Sequence, residues 1–290
     1  MRARCDTRRV QVIGDRYEVL GVIGRGGQSV VYRARDMRDG DLVAIKLVHG
    51  AAGDPDATER IFREIQSMSR LRGGAVVRVL HQVRTPEGAL GLVMDLLDGE
   101  ELEVFLARKA AASERVDPAW VVRTFAPIVE TLDEAHGAGF VHRDLKPENV
   151  FLMSEAAGGG AKILDFGFVK LMRAPSITGA EAIAGSPSYI APELWLGGAV
   201  AADPRADVYS LAVVLFRTLG GRPPFEGSFV ELMQAATTGE RPSLHALRPD
   251  LSPDVDHWVR QSMAAKPDER FQGVKGMWRA LVGCLESAAR

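Results

Sequence analysis

Short β-branched runs dominate the first third of the chain. YEVLGVIG, SVVYRAR and LVAIKLV are separated by Gly or Asp-Gly turns, the punctuation of antiparallel strands. VVRVLHQV and ALGLVMDLL repeat the pattern, with TPEG between them. One helical stripe interrupts the strands. Ile61, Ile65 and Met68 fall at i, i+4 and i+7 within residues 56–71. After Gly99 the period becomes helical and remains so. Asp117-Pro118 is a helix start, an N-cap acceptor followed by proline at the first helical position. Val121, Phe125, Ile128 and Leu132 continue its apolar stripe as far as Gly137 and Gly139, while Pro127 inside the stripe predicts a kink. Residues 207–219 are apolar on nearly every face, the mark of a helix buried at the centre of a domain. Ser252-Pro253 and Arg270-Phe271 open two later helices.

These elements predict an α+β chain with two lobes. The first, at about 17–97, is a small antiparallel β-sheet lobe with one helix; the second, at about 98–288, is larger and mainly helical. Residues 1–16, polar and Arg-rich, read as a solvated tail, and AAGGG at 156–160 reads as a surface turn. Composition then narrows the class. The 290 residues are 46% hydrophobic and 26% charged, enough to bury a sizeable core. Thirty-six basic against 38 acidic residues leave a net charge of −2, which argues against a nucleic-acid partner, because such proteins present a strongly basic face. Cys5 and Cys284 cannot build a disulfide framework and fit a reducing compartment. MRARCDTRRV lacks the apolar core of a secretory leader. The most apolar stretch, 208–216, is far short of the ~20 residues that span a bilayer. A cytoplasmic protein is expected.

Three segments carry chemistry. Gly24-Arg25-Gly26-Gly27-Gln28-Ser29 lies between two strands, where glycines let backbone N–H groups approach phosphate oxygens. A flexible turn would read the same way, and a dinucleotide fingerprint is excluded because a strand, not a helix, follows. Lys46 sits inside the apolar strand VAIK, and an ammonium buried there needs an anionic partner. Glu64, on the inward stripe of the 56–71 helix, is a candidate; an ordinary surface glutamate and a strand-edge lysine would give the same letters. The third segment is His142-Arg143-Asp144-Leu145-Lys146-Pro147-Glu148-Asn149, followed by Asp165-Phe166-Gly167 and Ala191-Pro192-Glu193.

In this order and spacing the motifs resemble the protein kinase family, in its bacterial Ser/Thr-directed (Hanks-type) branch, over residues 17–285. The resemblance implies a bilobal fold and transfer of the ATP γ-phosphate to Ser or Thr hydroxyls of protein substrates. It makes Asp144 the residue that orients the hydroxyl and accepts its proton, and Lys146 the cation steadying the phosphate. Lys46, held by Glu64, would contact the α- and β-phosphates. Asp165 and Asn149 would hold Mg2+, or Mn2+ in its place. Gly24 to Ser29 would cover the phosphates; Val31, Ala44 and Phe151 would sandwich the adenine, Met94 would guard the back of its pocket, and backbone groups of Asp95 and Leu97 would bond its edge. Asp207 would brace the catalytic loop, and Glu193 and Arg270 would pair within the large lobe. Arg143 would clamp a phosphate on Thr178 or Ser176, with autophosphorylation bringing in a second copy of the chain. Ser29 replaces the family's third glycine, Gly185-Ser186 replaces Gly-Thr, and the turn at 154–160 lengthens one connection; none removes a reacting group. A pseudokinase scaffold and a small-molecule kinase are the rival classes. Retention of Lys46, Asp144 and Asp165 opposes the first, and Lys146 with Ala191-Pro192-Glu193 opposes the second.

Overall fold

The computed structural model describes residues 11–26, 29–48, 74–85, 89–164, 187–197 and 203–287. Glu64, Gly27, Gln28, Asp165, Ser176, Thr178 and the helix expected at 56–71 lie outside them. The chain divides into two compact units, Met1–Ser69 with Val77–Leu97, and Arg70–Val76 with Asp98–Arg290. The division falls between Leu97 and Asp98, and 70–76 joins the second unit.

The first unit is an antiparallel sheet ordered β1-β2-β3-β4-β6-β5, with β1 Val12–Ile13, β2 Tyr17–Gly26, β3 Ser29–Asp36, β4 Leu42–Val48, β5 Val79–Arg84 and β6 Leu90–Asp95. The expected tail at 1–16 is corrected at its end. Val12 and Ile13 pair with Glu18 and Tyr17, Ile13 is buried, and Arg16 bonds the Asp36 carboxylate through Nε at 2.9 Å. A two-residue strand is too short to show a period. Side chains alternate across a strand, so β4 sends Val43, Ile45 and Leu47 into one cluster with Ile13, Tyr17, Ala34 and Val93. Ala44 and Lys46 occupy the opposite face, and they are buried too.

The second unit is built on helices, numbered from its start: α1 Leu102–Ala111, α2 Pro118–Gly137, α3 Pro192–Gly197, α4 Pro204–Gly220, α5 Phe229–Thr238, α6 Leu244–Leu247, α7 Val255–Ser262 and α8 Val274–Ser287. Helix α4 starts earlier than its apolar run, because Asp203 caps it by accepting from the Arg205 N–H at 2.7 Å. Every residue from Ala206 to Phe216 is buried. Helix α2 starts at the expected cap, with the Asp117 carboxylate accepting from the Ala119 N–H at 3.0 Å. It runs unbroken through Pro127, which lies on the exposed face, where water can solvate the carbonyl that proline leaves unpaired.

A small sheet in this unit, β7 Gly99–Glu101, β8 Val150–Met153 and β9 Ala161–Ile163, escapes sequence reading because its strands have three or four residues. Gly99 opens it at φ 149, and a Cβ there would stand 1.9 Å from the Leu152 carbonyl oxygen. Only glycine fits. The turn at 156–160 is seen as a short 3-10 segment, Glu155–Ala157, followed by three glycines of positive φ. Among the described residues no helix is long and apolar enough to cross a membrane.

Candidate active site

In the first unit, strand pairing sets the site residues. Gly24, Arg25 and Gly26 face Val31, Val30 and Ser29 across the β2–β3 hairpin. Ser29 is the first residue of β3 and is buried, so the side chain that replaces a glycine in the family pattern points away from solvent. Val31 pairs with Lys46 on one side, and Leu92 pairs with it on the other. Ala44 pairs with Met94. Directly paired residues share a face, so Val31, Ala44, Lys46 and Met94 lie together, opposite the apolar cluster. The Lys46 side chain is held on a covered face, with the residue 4% exposed. At the end of β6 the Asp95 N–H donates to the Arg78 carbonyl at 3.1 Å, and its carboxylate pairs with Arg78 at 3.0 Å.

The second unit has no ladder at its reactive residues. The loop from His142 to Pro147 is irregular, and one buried carboxylate anchors it. Asp207, in the first turn of α4, accepts from the His142 N–H at 2.7 Å on Oδ2 and from the Arg143 N–H at 2.8 Å on Oδ1. The His136 ring, from α2, bonds Oδ2 at 2.8 Å. Burial opposes the charge, yet the His136 bond, its neighbouring charges and the backbone N–H groups hold the Asp207 carboxyl below the usual range. The anchor lets Arg143 keep a left-handed backbone at φ 66, an uncommon conformation for a residue with a side chain. The His142 ring locks the next step. Its Nε2 lies 3.1 Å from the Leu164 carbonyl, and its Nδ1 accepts from the Asp144 N–H at 3.2 Å. Those partners require the Nε2–H tautomer.

Asp144 is thereby aimed, and its neighbours converge on one oxygen. Asn149 Nδ2 donates to the Asp144 carbonyl at 2.7 Å and to its Oδ2 at 2.9 Å, and Lys146 Nζ stands 3.5 Å from the same Oδ2. Two oxygen acceptors fix which end of the Asn149 amide is the nitrogen, so Oδ1 is the atom outside these bonds, a hard donor of the kind suited to Mg2+ or a similar cation. The donor set fits a divalent metal in chemistry, with Asp165 as the other expected ligand. Among the described residues alone, no three His, Cys, Asp or Glu side chains converge. Phe151 follows on β8, half-buried, paired with Glu101 and Lys162.

Arg270 and Glu193 form the expected pair, joined twice at 2.8 and 2.7 Å. The remaining guanidinium hydrogens reach the carbonyls of Ala264, Arg205 and Ala265, at 2.7, 2.9 and 3.0 Å. His136 was missed by sequence reasoning. So was Arg217, which bonds Glu103 and the Tyr189 hydroxyl. Neither stands in a motif, and their partners are distant in sequence.

A two-unit chain with a sheet-borne lysine and a loop carrying Asp, Lys and Asn in concert defines a phosphotransferase of the kinase type. The protein kinase domain model matches residues 17–277. The chain is 33% identical to the serine/threonine-protein kinase PknL of Mycobacterium tuberculosis over 280 residues, covering 96% of this chain and 68% of PknL. It is also 33% identical to the serine/threonine-protein kinase Pkn1 of Myxococcus xanthus over 280 residues, covering 94% of this chain and 39% of Pkn1. The PknI kinase domain of M. tuberculosis superposes with a TM-score of 0.71 at 27% identity, covering 94% of this chain and 97% of that domain. The chain belongs to the protein kinase family, in its bacterial serine/threonine-directed branch. Its reaction is ATP-dependent and uses a divalent metal, as the family's does.

Proposed function

We propose that this chain transfers the γ-phosphate of Mg2+-bound ATP to serine and threonine hydroxyls of proteins, with Asp144 receiving the hydroxyl proton. The observation that supports the assignment is the fixation of Asp144 by three neighbours: His142 at its N–H, Asn149 at its carbonyl and carboxylate, and Lys146 at 3.5 Å. In the step itself the hydroxyl oxygen bonds to the γ-phosphorus as the bond to the β–γ bridging oxygen breaks and ADP leaves. The proton goes to Asp144, a positioned base worth typically ~10²–10⁴-fold.

Lys146 meets the charge of the moving phosphoryl group, and Lys46, with Glu64 as its partner, holds the α- and β-phosphates. Gly24, Arg25, Gly26, Gly27, Gln28 and Ser29 close over the phosphates. Val31, Ala44 and Met94, with Phe151, take the adenine, whose edge meets the backbone of Asp95 and Leu97. Asn149 and Asp165 would hold the metal, which when bound neutralises phosphate charge. Mg2+ is the assigned ion and Mn2+ the alternative. The requirement for ATP supports a cytoplasmic location. Autophosphorylation falls on Thr178 ahead of Ser176, with Arg143 as the phosphate clamp and a second copy of the chain as the donor.

Labelled ATP tests the reading, with the protein alone, with a generic protein acceptor and with small-molecule hydroxyl acceptors, each in Mg2+ and in Mn2+. Label should enter the acceptor protein and the chain itself, faster in Mg2+, and Lys46→Met should abolish it with the melting curve unchanged. Label confined to small molecules, or an active Lys46→Met, would overturn the assignment. Mapping that finds no phosphate between residues 165 and 193 removes the regulatory part and leaves the catalytic part standing.

A further inference from the structure

Arg217 lies near the far end of α4, ten residues beyond Asp207 and so about 15 Å along the axis. Its Nη1 donates to the Tyr189 hydroxyl at 2.7 Å, its Nη2 donates to Glu103 Oε1 at 2.6 Å, and Nη1 also reaches Glu103 Oε2. One guanidinium therefore joins three elements. Glu103 belongs to α1, which packs against the Pro147–Asn149 turn of the catalytic loop. Tyr189 ends the Pro187–Tyr189 turn, is buried, and is pinned a second time where Ser210 Oγ donates to its carbonyl at 2.7 Å. Glu148, in the catalytic loop's own turn, is close enough to act electrostatically on Tyr189.

The central helix thus holds the catalytic loop through Asp207, and through Arg217 it holds two segments beside that loop. A protein acceptor must lay a stretch of chain over the surface around Asp144, so it depends on those segments. ATP, on the reading above, depends on Lys46, Asn149 and the glycine hairpin, and none of these residues is a bonding partner of Arg217. We propose that Arg217 is a positioning residue for the protein acceptor, acting through Tyr189 and Glu103. The assignment rests on the kinase reading and deepens it. Only arginine meets the geometry, since a planar fork serves the two carboxylate oxygens and the hydroxyl together, whereas an ammonium is a single point charge.

The test is steady-state kinetics with protein acceptor and ATP varied separately, on wild type, Arg217→Gln, Arg217→Lys, Tyr189→Phe and the Arg217→Gln/Tyr189→Phe double variant, with thermal melts of each. Arg217→Gln and Tyr189→Phe should each raise the KM for acceptor about tenfold while the KM for ATP stays within about twofold. The double variant should be no worse than Arg217→Gln, because both remove one linkage, and Arg217→Lys should recover part of the loss. An unchanged acceptor KM, or ATP and acceptor KM rising together in step with the loss of melting temperature, overturns the assignment and leaves the clamp a stability element. Wild type that transfers no phosphate to protein overturns the kinase reading, and this assignment with it.

Discussion

Lys46 and Asp144 are positioned by opposite means. Lys46 stands in the fourth of six strands, paired with Val31 on one side and Leu92 on the other. Its place is written in backbone hydrogen bonds that any β-forming neighbours could supply. Asp144 stands in an irregular loop whose two key backbone N–H groups reach no ladder and end on a single buried carboxylate. A sheet spreads the positioning over many small contributions, each net about 0.5–1.5 kcal/mol. The loop concentrates it in one side chain. The sheet-borne residue should therefore tolerate change among its neighbours, and the loop-borne residue should not.

The largest effect is expected at Asp207. In Asp207→Asn the amide offers one acceptor oxygen where two backbone N–H groups need one each, and it places an N–H₂ donor against the other. A buried donor left unpaired costs about 1–3 kcal/mol. The larger consequence is kinetic, because a misplacement near 1 Å at a reacting group can cost ~10²-fold. Turnover should fall by about that factor while the KM for ATP holds within about twofold. Full turnover in a folded Asp207→Asn would show that the loop is positioned from elsewhere, and the contrast between the units would collapse.

Next comes Arg270, where the same concentration of bonds serves stability. Its guanidinium bridges Glu193 and three carbonyls, with the arginine side chain fully buried. Removing one partner of such a pair typically costs ~3–5 kcal/mol, since the other charge stays buried. Arg270→Met should lower stability by about that amount in urea titrations, and turnover per folded molecule should stay near wild type at low temperature. A loss of turnover larger than the unfolded fraction explains would tie Arg270 to the chemistry.

The sheet supplies the opposing case. Leu92, buried on the strand next to Lys46, can become methionine at nearly constant volume, a change that usually costs less than about 1.5 kcal/mol. Turnover and the KM for ATP should both stay within about twofold in Leu92→Met. A tenfold rise in the KM for ATP would mean that side-chain packing, and not the ladder, places Lys46.

This difference also decides what the sequence discloses. Strand runs and the Asp117-Pro118 cap are local patterns, and His142 to Asn149 carries its chemistry within eight consecutive letters. The acceptor for that loop is harder to see. His136 meets Asp207 across 71 positions, Arg217 meets Glu103 across 114 and Tyr189 across 28. No period or spacing links such residues. Asp207 was legible only through the family resemblance, and His136 and Arg217 not at all. Short strands hide for a different reason, since Val12–Ile13 and β7 to β9 hold too few residues to alternate.

The smallest effect concerns Tyr209, buried in α4 with the Arg270 guanidinium 5.0 Å above its ring. Its hydroxyl has no hydrogen-bond partner among the described residues. Burial pushes its pKa up to about 12, with Arg241 and Arg270 opposing, and burial does the same to Tyr189 against the Arg217 bond. The unfolded chain loses these protons near pH ~10. A raised folded value means stability that is complete below that pH and is lost as pH rises toward 12. Tyr209→Phe removes one of the raised tyrosines, of which Tyr17 is a third, and an unpaired buried hydroxyl together. At pH 7 the variant should match wild type or gain up to about 1 kcal/mol, because an apolar atom no longer forgoes a bond to water. Between pH 10 and 12 its stability should fall less steeply than wild type, with the contributions of Tyr189 and Tyr17 remaining. Urea titrations at pH 7, 10 and 11 would read both. A loss above about 1 kcal/mol at pH 7 would mean the hydroxyl has a partner after all, and an unaltered alkaline slope would assign that transition to other groups.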